Sequence, residues 1–247
     1  EIMHDDDLFN QPDISHMGEC PICFLPLSLD QRKSSMMTCC CKHICNGCDH
    51  ANYLREVEQG LEQRCVYCRE PLPKSQDEAE KNIMKRIKKN DPVAMTAMAK
   101  EHHRKGDYVK AVEYLTKAAE LEDVEAHFCL GSLYYSGEGV EKDKKKEVYH
   151  WELAAIGGHP FARAGLAAHD MENDRLERSA KHFTIAANLG DDTSLEAVKE
   201  LFVQGIVSKE EYAAALRGHQ AAVDATKSAE REAAEAVLKA RDAAARS

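Results

Sequence analysis

Apolar and small residues recur at helical spacing through the second half of the chain. Ala94, Ala126 and Ala162 each begin a helix-like run. Each run is closed by an alanine pair, and these pairs are Ala118-Ala119, Ala154-Ala155 and Ala186-Ala187. The starts lie 32 and 36 residues apart and the ends 36 and 32. Periods in the thirties are typical of stacked helix pairs, so residues 91–207 are predicted to form an all-α helical-repeat solenoid.

The middle copy carries the most complete motif. It combines small residues, which let paired helices approach closely, with a glycine loop suited to positive φ. The motif consists of Ala126, Leu130, Gly131, Tyr134, Gly137, Gly139, Asp143, Trp151, Ala154 and Ala155. It resembles the Sel-one-like repeats, short relatives of the tetratricopeptide repeat. The first and third copies lack the glycine loop and carry Ala99 and Ala167 in place of Gly131.

A helical connector is predicted ahead of the repeats. Ser75 and Glu78 have the spacing of a capping box, in which each side chain bonds the backbone near the other residue. Apolar residues then recur every four positions, at Ala79, Ile83 and Ile87. A helix is therefore predicted over residues 76–89, within a connector at 74–90.

A second capping box, Ser208 with Glu211, follows the repeats. It predicts a capping helix and tail over residues 208–247. Beyond about residue 224 the sequence is mostly alanine and charge, with Val237 and Leu238 nearly alone as large apolar residues. We therefore expect this end to be solvated or frayed.

Charge and hydropathy limit the classes of partner that the chain is expected to bind. The 247 residues carry a net charge of −10, which argues against a nucleic-acid partner because phosphate binding needs a basic face. No apolar run reaches the 18 or more residues of a membrane span, so no membrane partner is expected. Residues 1–18 are acidic and without periodicity and are predicted to be disordered. The alternative for them is a short binding motif around Leu8 and Phe9.

Cysteines are concentrated in one stretch. Nine of the ten lie between Cys20 and Cys68, and the tenth is Cys129. The stretch contains Cys20–Cys23, the cluster Cys39-Cys40-Cys41 with His43, then Cys45–Cys48 and Cys65–Cys68. Two thiolates three positions apart can reach one tetrahedral zinc from a tight turn. A disulfide-bonded loop is the alternative. Zinc-type cysteines without a secretory signal pattern predict a reducing compartment, the cytoplasm or nucleus.

The gaps between the pairs define the order of ligands. Fifteen residues separate Cys23 from Cys39, and sixteen separate Cys48 from Cys65. This order resembles the RING-type zinc finger, over residues 19–73. The resemblance implies a small zinc-stabilised cross-brace, in which pairs one and three share one ion and pairs two and four share another. A helix is predicted over Asp49–Gln63, on the spacing of Leu54, Val57 and Leu61.

The resemblance implies two zinc ions. The first would be held by Cys20, Cys23, Cys45 and Cys48. The second would be held by Cys65, Cys68 and two ligands from the 39–43 cluster. The family's histidine position falls on Lys42, which is not a zinc ligand. The fourth ligand of all-cysteine variants falls on Cys40, so Cys39 and Cys40 are predicted, with Cys41 and His43 as the alternates.

The same resemblance implies a ubiquitin ligase, which positions a ubiquitin-conjugating enzyme and has no catalytic nucleophile of its own. Ile22 matches the apolar position that grips the conjugating enzyme. Arg69 matches the cationic position after the last cysteine, and Pro71 lies in the second contact region. The helical repeats would recruit substrate or partner proteins. The alternative is a non-enzymatic zinc-binding scaffold. No acid–base or nucleophilic constellation is predicted elsewhere, so enzymatic activity is left open.

Overall fold

The structure is a computed structural model and describes residues 5–245. The chain divides into two compact units. The repeat unit contains residues 5–16 and Met95–Val223, and the cysteine unit contains Met17–Ala94 and residues 224–245. The helices are α1 (Asp5–Leu8), α2 (Asn46–Glu58), α3 (Gln76–Ile87), α4 (Pro92–Arg104), α5 (Tyr108–Ala119), α6 (Val124–Ser136), α7 (Lys144–Ile156), α8 (Pro160–Glu172), α9 (Leu176–Asn188), α10 (Asp192–Val203), α11 (Lys209–Ala225) and α12 (Ala229–Ala245). The strands are β1 (Ser34–Met37) and β2 (Lys42–Cys45).

The repeat unit is a stack of helices in which each packs on its neighbour along the chain. The pairs α6 with α7 and α8 with α9 form the most extensive contacts. The alanines that mark the repeats are buried because a methyl group is all that fits between closely packed helices. Those with no exposed surface are Ala94, Ala118, Ala126, Ala154, Ala155, Ala162, Ala186 and Ala187. The helical-repeat prediction is confirmed.

Trp151 fills the space where the middle helices meet. A Cβ atom on Gly131 would lie 2.3 Å from Trp151 Cδ1, and one on Gly165 would lie 2.9 Å from Trp151 Cε3. Such distances are far inside van der Waals contact, so only glycine allows the indole to pack between α6 and α8. The glycine of the central motif is therefore a packing requirement.

Hydrogen bonds close the ends of the repeat helices. Asp143 is the N-cap of α7 and accepts from the backbone N–H groups of Lys145 and Lys146. Ser208 and Glu211 form the predicted capping box. Glu211 N donates to Ser208 Oγ at 3.2 Å, and Ser208 N donates to Glu211 Oε2 at 2.8 Å. Each cap satisfies backbone donors that have no partner within the helix.

The N-terminal segment differs from the prediction of disorder. Residues 5–8 form the short helix α1, and the Leu8 side chain is fully buried in the repeat unit beside Trp151 and Leu166. Acidic composition predicted a solvated chain, yet burial of Leu8 in an apolar site helps to hold the segment on the repeat unit. Residues 1–4 of the predicted segment lie outside the described residues.

The cysteine unit contains one antiparallel hairpin and little apolar material. Strands β1 and β2 pair with Ser34 opposite Cys45 and Met37 opposite Lys42. Its buried cluster consists of Cys20, Leu27, Met37, Cys40, Ile44, Cys45, Cys65 and Val66. Half of these residues are cysteines, so the centre of this unit is made of sulfur as much as of hydrocarbon.

Helix α2 is shorter than predicted, and its buried side is polar. It ends at Glu58, and Gly60 then adopts a positive φ of 64°. Leu54, Val57 and Leu61 are exposed. The buried side instead carries polar groups. One of them is Glu56, which accepts a hydrogen bond from Arg64 N. The apolar spacing predicted a helix here but did not identify its buried side.

The connector helix agrees with the prediction, and the C-terminal helix does not. Helix α3 begins after Ser75, which accepts from Glu78 N at 3.2 Å.

Helix α12, predicted to be a solvated tail, packs on α2 within the cysteine unit. A Cβ on Gly47 would lie 2.8 Å from Arg231 N, so glycine permits this close approach. The few apolar residues of α12 gave too weak a signal to predict this packing.

Candidate metal centre

The eight predicted cysteine ligands come together in two groups. One group is Cys20, Cys23, Cys45 and Cys48, and the other is Cys39, Cys40, Cys65 and Cys68. Within each group the sulfur atoms all lie within 4.8 Å of one another. Pairs one and three therefore share one group, and pairs two and four share the other. This is the interleaved order that the cross-brace resemblance implies.

Two of the pairs are presented by equivalent turns. Phe24 N donates to Cys20 O at 2.8 Å, and Arg69 N donates to Cys65 O at 2.9 Å. The residue after each second cysteine adopts a left-handed conformation, with φ of 57° at Phe24 and 64° at Arg69. Such a turn aims both thiols of a pair at the same point.

The pair Cys45–Cys48 is presented by a helix N-terminus. Cys45 is the N-cap of α2, and its sulfur accepts from Cys48 N at 3.4 Å. Backbone N–H groups at a helix N-terminus stabilise negative charge, but burial outweighs them here and raises the pKa of both Cys45 and Cys48.

The hairpin explains which members of the 39–43 cluster take part. Cys39 and Cys40 lie in the loop between β1 and β2, where Cys40 N and Cys41 N both donate to Met37 O. Cys41 has a φ of 55°, and its thiol lies in the field of Asp91 and Arg86. His43 lies on β2 opposite Met36. The structure therefore brings together the predicted pair, whereas Cys41 and His43 are outside the group.

The sulfur spacing fits a tetrahedral metal site. Sγ–Sγ distances are 3.8 Å for Cys23 and Cys45, and 3.9 Å for Cys40 and Cys65. Cys39 and Cys68 are closer, at 3.3 Å. Zinc–sulfur bonds of about 2.3 Å in a tetrahedron place the sulfurs about 3.8 Å apart. A disulfide requires about 2.05 Å, and all ten cysteines are free thiols. The donor set therefore fits zinc.

Two thiols of the second group, Cys39 and Cys40, are difficult to ionise without a cation. Burial and the neighbouring sulfurs of Cys65 and Cys68 raise the pKa of Cys40 to about 12. Burial and hydrogen bonding with Cys68 raise the pKa of Cys39 further. A divalent cation would reverse this effect, because its charge stabilises the thiolates and expels their protons.

Arg231 on α12 contacts the first group directly. Its guanidinium donates to Cys23 Sγ at 3.3 Å, to Leu25 O at 3.1 Å and to Pro26 O at 2.6 Å. Burial raises the pKa of Cys23, but hydrogen bonds from the Leu25 backbone and Arg231 lower it to about 7. A partner that donates to a ligand sulfur fixes its orientation. No sequence motif indicated this role, since Arg231 lies about 160 residues beyond the last predicted ligand.

A groove lies beside the first group. Its volume is about 320 Å³. It is lined by Ile22, Cys23, Cys45, Cys48, Ala51, Asn52, Arg55, Val66, Ser228, Glu230 and Arg231. Ile22 is partly exposed there, at 37%. The apolar residue predicted to contact a partner therefore lies on a concave surface.

Arg69 is held at the edge of this groove by a residue that the sequence did not single out. Its guanidinium donates to Asn52 Oδ1 at 3.1 Å, and Arg55 donates to the same oxygen at 2.9 Å. Asn52 is buried and itself donates to Arg64 O. Pro71 is exposed and forms a bridge with Arg64, but it does not line the groove. Asn52 could not be found from a motif, because only the turn of α2 places it between two arginines.

A third group, His16, Glu125 and His159, has a different chemistry. His159 Nδ1 accepts from Ala162 N, so its proton lies on Nε2 and is donated to Glu125 Oε2 at 3.2 Å. A nitrogen that carries this proton has no lone pair for a metal. Lys100 Nζ lies 2.7 Å from the other carboxylate oxygen. Burial raises the pKa of Glu125, but His159, His16 and Lys100 hold it well below its usual range. This group is a buried hydrogen-bond network.

The family model of the Sel1 repeat matches residues 92–123, 124–159 and 169–191. The predicted repeats are therefore confirmed, although the third match begins within α8 rather than at Ala162. Among the described residues no helix is long and apolar enough to cross a bilayer.

Two curated relatives share part of the chain. A stretch of 56 residues is 38% identical to "Putative beta-lactamase HcpC" of Helicobacter pylori strain J99 and covers 23% of this chain and 19% of that protein. The protein of the same name from strain 26695 is 36% identical over 52 residues, covering 21% and 18%. The chain thus matches about a fifth of the length of these relatives.

Solved structures agree on the fold of the repeats. The Sel1 repeat protein from Oxalobacter formigenes has a TM-score of 0.53 and 22% identity, covering 70% of each chain. The protective antigen c5321 of uropathogenic Escherichia coli, which has an SLR fold, has a TM-score of 0.51 and 19% identity. That match covers 60% of this chain and 34% of the antigen. At these identities the likeness shows the all-α solenoid fold.

Proposed function

We propose that this Sel1-repeat chain is a zinc-binding RING-type ubiquitin ligase, with repeats that recruit the protein to be modified. The observation that carries the proposal is the interleaving of the four cysteine pairs into two groups. Interleaved sites cross-link segments that are far apart in the sequence, and they make a rigid platform from very little hydrophobic surface. Two zinc ions would be held, one by each group.

The proposed mechanism is positioning. A ubiquitin-conjugating enzyme carries ubiquitin as a thioester, and an amine of the substrate attacks the thioester carbonyl and expels the thiolate. The ligase brings amine and thioester together and contributes no nucleophile, so its effect is one of proximity and orientation. Recruitment of substrate by the Sel1 repeats would supply the second half of this arrangement.

Ile22 is the proposed apolar contact for the conjugating enzyme. It is half-exposed on the groove beside the first cysteine group, with Val66 lining the same surface. An exposed apolar side chain in a concave site is a typical anchor for a protein partner.

Arg69 is the proposed cationic contact. Its planar guanidinium donates several hydrogen bonds in fixed directions, which suits it to bridge two proteins. Asn52 holds one edge of the guanidinium and leaves the side chain exposed. We propose that Asn52 acts as a positioning residue for Arg69, and that Pro71 supports the adjoining contact region.

An auto-ubiquitination assay with a panel of conjugating enzymes tests the proposal. Zinc-loaded wild-type protein should form ubiquitin conjugates with at least one enzyme. Ile22→Ala should reduce the rate by about tenfold, since truncating an interface anchor costs more than 1 kcal/mol. Leu54→Ala is the matched control, because Leu54 is an exposed apolar residue of the same unit that does not line the groove.

The arginine is tested in the same assay. Arg69→Ala should lower transfer by a similar factor while both zinc ions remain bound. Arg104→Ala, which removes an exposed arginine of α4 paired with Glu101, should leave transfer unchanged. The ligase function would be contradicted if zinc-loaded wild-type protein formed conjugates with none of the enzymes tested.

A second candidate is a non-enzymatic zinc-binding scaffold. It is favoured by Ser228, Glu230 and Arg231, which belong to the C-terminal part of the cysteine unit and line the same groove as Ile22. Because these residues occupy one side of the groove, less of its surface is open to a conjugating enzyme. Under this proposal, zinc-loaded protein binds its partners through the repeats and forms no ubiquitin conjugates.

The proposed location of either form is the cytoplasm or nucleus. Eight thiols at ligand spacing keep their metal where cysteines stay reduced. Cys129, the tenth free thiol, is partly buried, and burial and Glu125 raise its pKa to about 12. It is not assigned to either proposed function.

A further inference from the structure

The N-terminal segment, residues 5–16, lies on the repeat unit as a bound peptide would. Leu8 is fully buried in an apolar site formed by α7 and α8. This site consists of Trp151, Ala154, Ala155, Ala162 and Leu166. A helix of four residues does not form alone in water, so the surrounding repeat helices must hold α1 in its conformation.

Arg163 binds the backbone of this segment. Its guanidinium donates to Leu8 O at 2.9 Å and to Asn10 O at 3.2 Å. The Arg163 side chain is fully buried, and burial lowers its pKa to about 10. Among residues 5–245, these two carbonyl oxygens are the acceptors that the structure shows for it. A buried guanidinium that donates to the carbonyls of a segment more than 150 residues away is a feature of a peptide-binding site.

Phe9 is recognised by a basic cluster on α9. Its ring lies 4.9 Å from the Arg178 guanidinium and 5.4 Å from Lys181 Nζ, and its centroid is 4.7 Å from that of His182. Cations over an aromatic face attract its negative quadrupole. Arg178 also pairs with Asp5, so one guanidinium recognises an acidic residue and an aromatic residue together.

The far end of the segment is held at the loop after α7. His16 N donates to Gly158 O at 3.0 Å, and the His16 ring stacks on that of His159 at 4.0 Å. A Cβ on Gly158 would lie 2.9 Å from Ile14 O. The loop is therefore shaped to accept an extended chain at close range.

We propose that this surface, defined by Trp151, Arg163, Arg178, Lys181 and Gly158, is a peptide-binding site that residues 5–16 occupy in cis. Its partner in trans is an acidic peptide segment with a leucine–aromatic pair and an acidic residue three positions before the leucine, as in Asp5, Leu8 and Phe9. This inference rests on the recruiting part of the proposed function and needs no zinc chemistry.

The pattern follows from the contacts. Backbone carbonyls bound by Arg163 are present in any peptide, whereas Leu8 and Phe9 fill sites of defined shape. The charges are complementary, because Asp5 pairs with Arg178 and lies near Lys181. The cis segment competes by being tethered, since a tether supplies an effective concentration in the millimolar range. A partner with the same pattern must displace it.

Displacement is tested with full-length, zinc-loaded protein and a fluorescent peptide of residues 5–16. In a release variant, Leu8→Asp with Phe9→Ala, the cis segment loses its anchors while the binding surface stays intact. The release variant is expected to bind the peptide at least about tenfold more tightly than the wild-type chain. A peptide carrying the same two substitutions should not bind. Equal binding by the wild-type chain and the release variant would overturn the proposal.

Charge reversal supplies a second, independent test. Arg178→Glu in the release variant should weaken binding of the peptide by about tenfold, and an Asp5→Arg peptide should restore it. Arg104→Glu, at an exposed site on α4, is the matched control. Should the release variant fail to fold, Asp5→Arg in the full-length chain loosens the segment more gently and should still raise peptide affinity. Absence of rescue by the Asp5→Arg peptide would contradict the assigned pairing.

A second copy of the chain is the competing occupant. Sedimentation should not show a dimer of the wild-type protein that dissociates on Leu8→Asp substitution. Such a dimer would show that segments exchange between copies, and it would overturn the proposal of a separate partner. Because these readouts involve neither ubiquitin nor a conjugating enzyme, they are independent of the ligase assay.

Discussion

The repeat unit and the cysteine unit achieve order by opposite means. In the repeat unit, small residues let helices pack closely around a few large side chains, as at Gly131, Trp151 and Gly165. In the cysteine unit, the buried cluster is half cysteine, and α2 turns Leu54 and Val57 towards solvent. The comparison shows that hydrophobic periodicity predicts structure only in a unit that is stabilised by the burial of apolar side chains.

The largest difference is expected on removal of metal. A strong chelator should unfold the cysteine unit, since structural zinc binds small peptides with about 10–16 kcal/mol per site at neutral pH. Hydrogen exchange should become fast over residues 17–94 and, because α12 packs on α2, over residues 229–245. The repeat unit should keep its protection.

Trp151 provides the control for that experiment. It is the single tryptophan of the chain and lies in the repeat unit, so its fluorescence reports this unit alone. Its urea midpoint should be the same with and without chelator. A shift of this midpoint together with intact exchange protection over 17–94 would reverse the assignment of metal dependence.

A single-site substitution should separate the two cysteine groups. Cys40→Ser removes a member of the second group and should release one metal ion, with loss of protection around the hairpin. Cys41→Ser is the matched control, since its thiol lies one position away and outside the group. Native mass spectrometry of both variants measures the difference. Loss of metal from Cys41→Ser and not from Cys40→Ser would favour the alternate ligands.

Acid should weaken the repeat unit by a smaller amount. Burial lowers the pKa of His159 and of His150 to about 4 from an ordinary value of 6.5. Between these values the unfolded chain binds more protons, so stability is lost as pH falls from about 6.5 to 4. The shift at His159 corresponds to about 3 kcal/mol. Trp151-detected urea midpoints at pH 7, 6 and 5 should fall in that order, and a constant midpoint would contradict the burial of these rings.

The smallest effect concerns packing within the central repeat. Gly131→Ala places a methyl group against Trp151 and should destabilise the repeat unit by about 1–3 kcal/mol through overpacking. Trp151-detected unfolding measures it, with Ser132→Ala, the neighbouring position on α6, as the control. Equal stability of the two variants would mean that the indole can move away from the added methyl.

The parts of the fold that were predictable are those with local signals. The alanine pattern located the helix pairs, and Ser208 with Glu211 marked a helix start that the structure confirms. The resemblance to the RING-type finger implied the grouping of the cysteine pairs that the structure shows, and its all-cysteine variants implied Cys39 and Cys40 over Cys41 and His43.

Contacts between distant segments could not be predicted. Arg231 reaches Cys23 from α12, and Arg163 binds carbonyls of residues 8 and 10. Each arginine lies in a helix rich in alanine, where the sequence pattern predicts a solvent-exposed side chain. Only the fold shows that these guanidinium groups are directed at backbone carbonyls and a thiol. Composition likewise predicted residues 1–18 to be disordered, although Leu8 inserts into a site formed elsewhere in the chain.

The number of zinc ions bound per chain tests the central claim most directly. Native mass spectrometry of the protein purified under reducing conditions should give a mass increment of two zinc ions and no disulfides. The account predicts that both ions are lost together with the fold of residues 17–94 when chelator is added. One ion or none in folded protein, or four linked cysteine pairs, would contradict it.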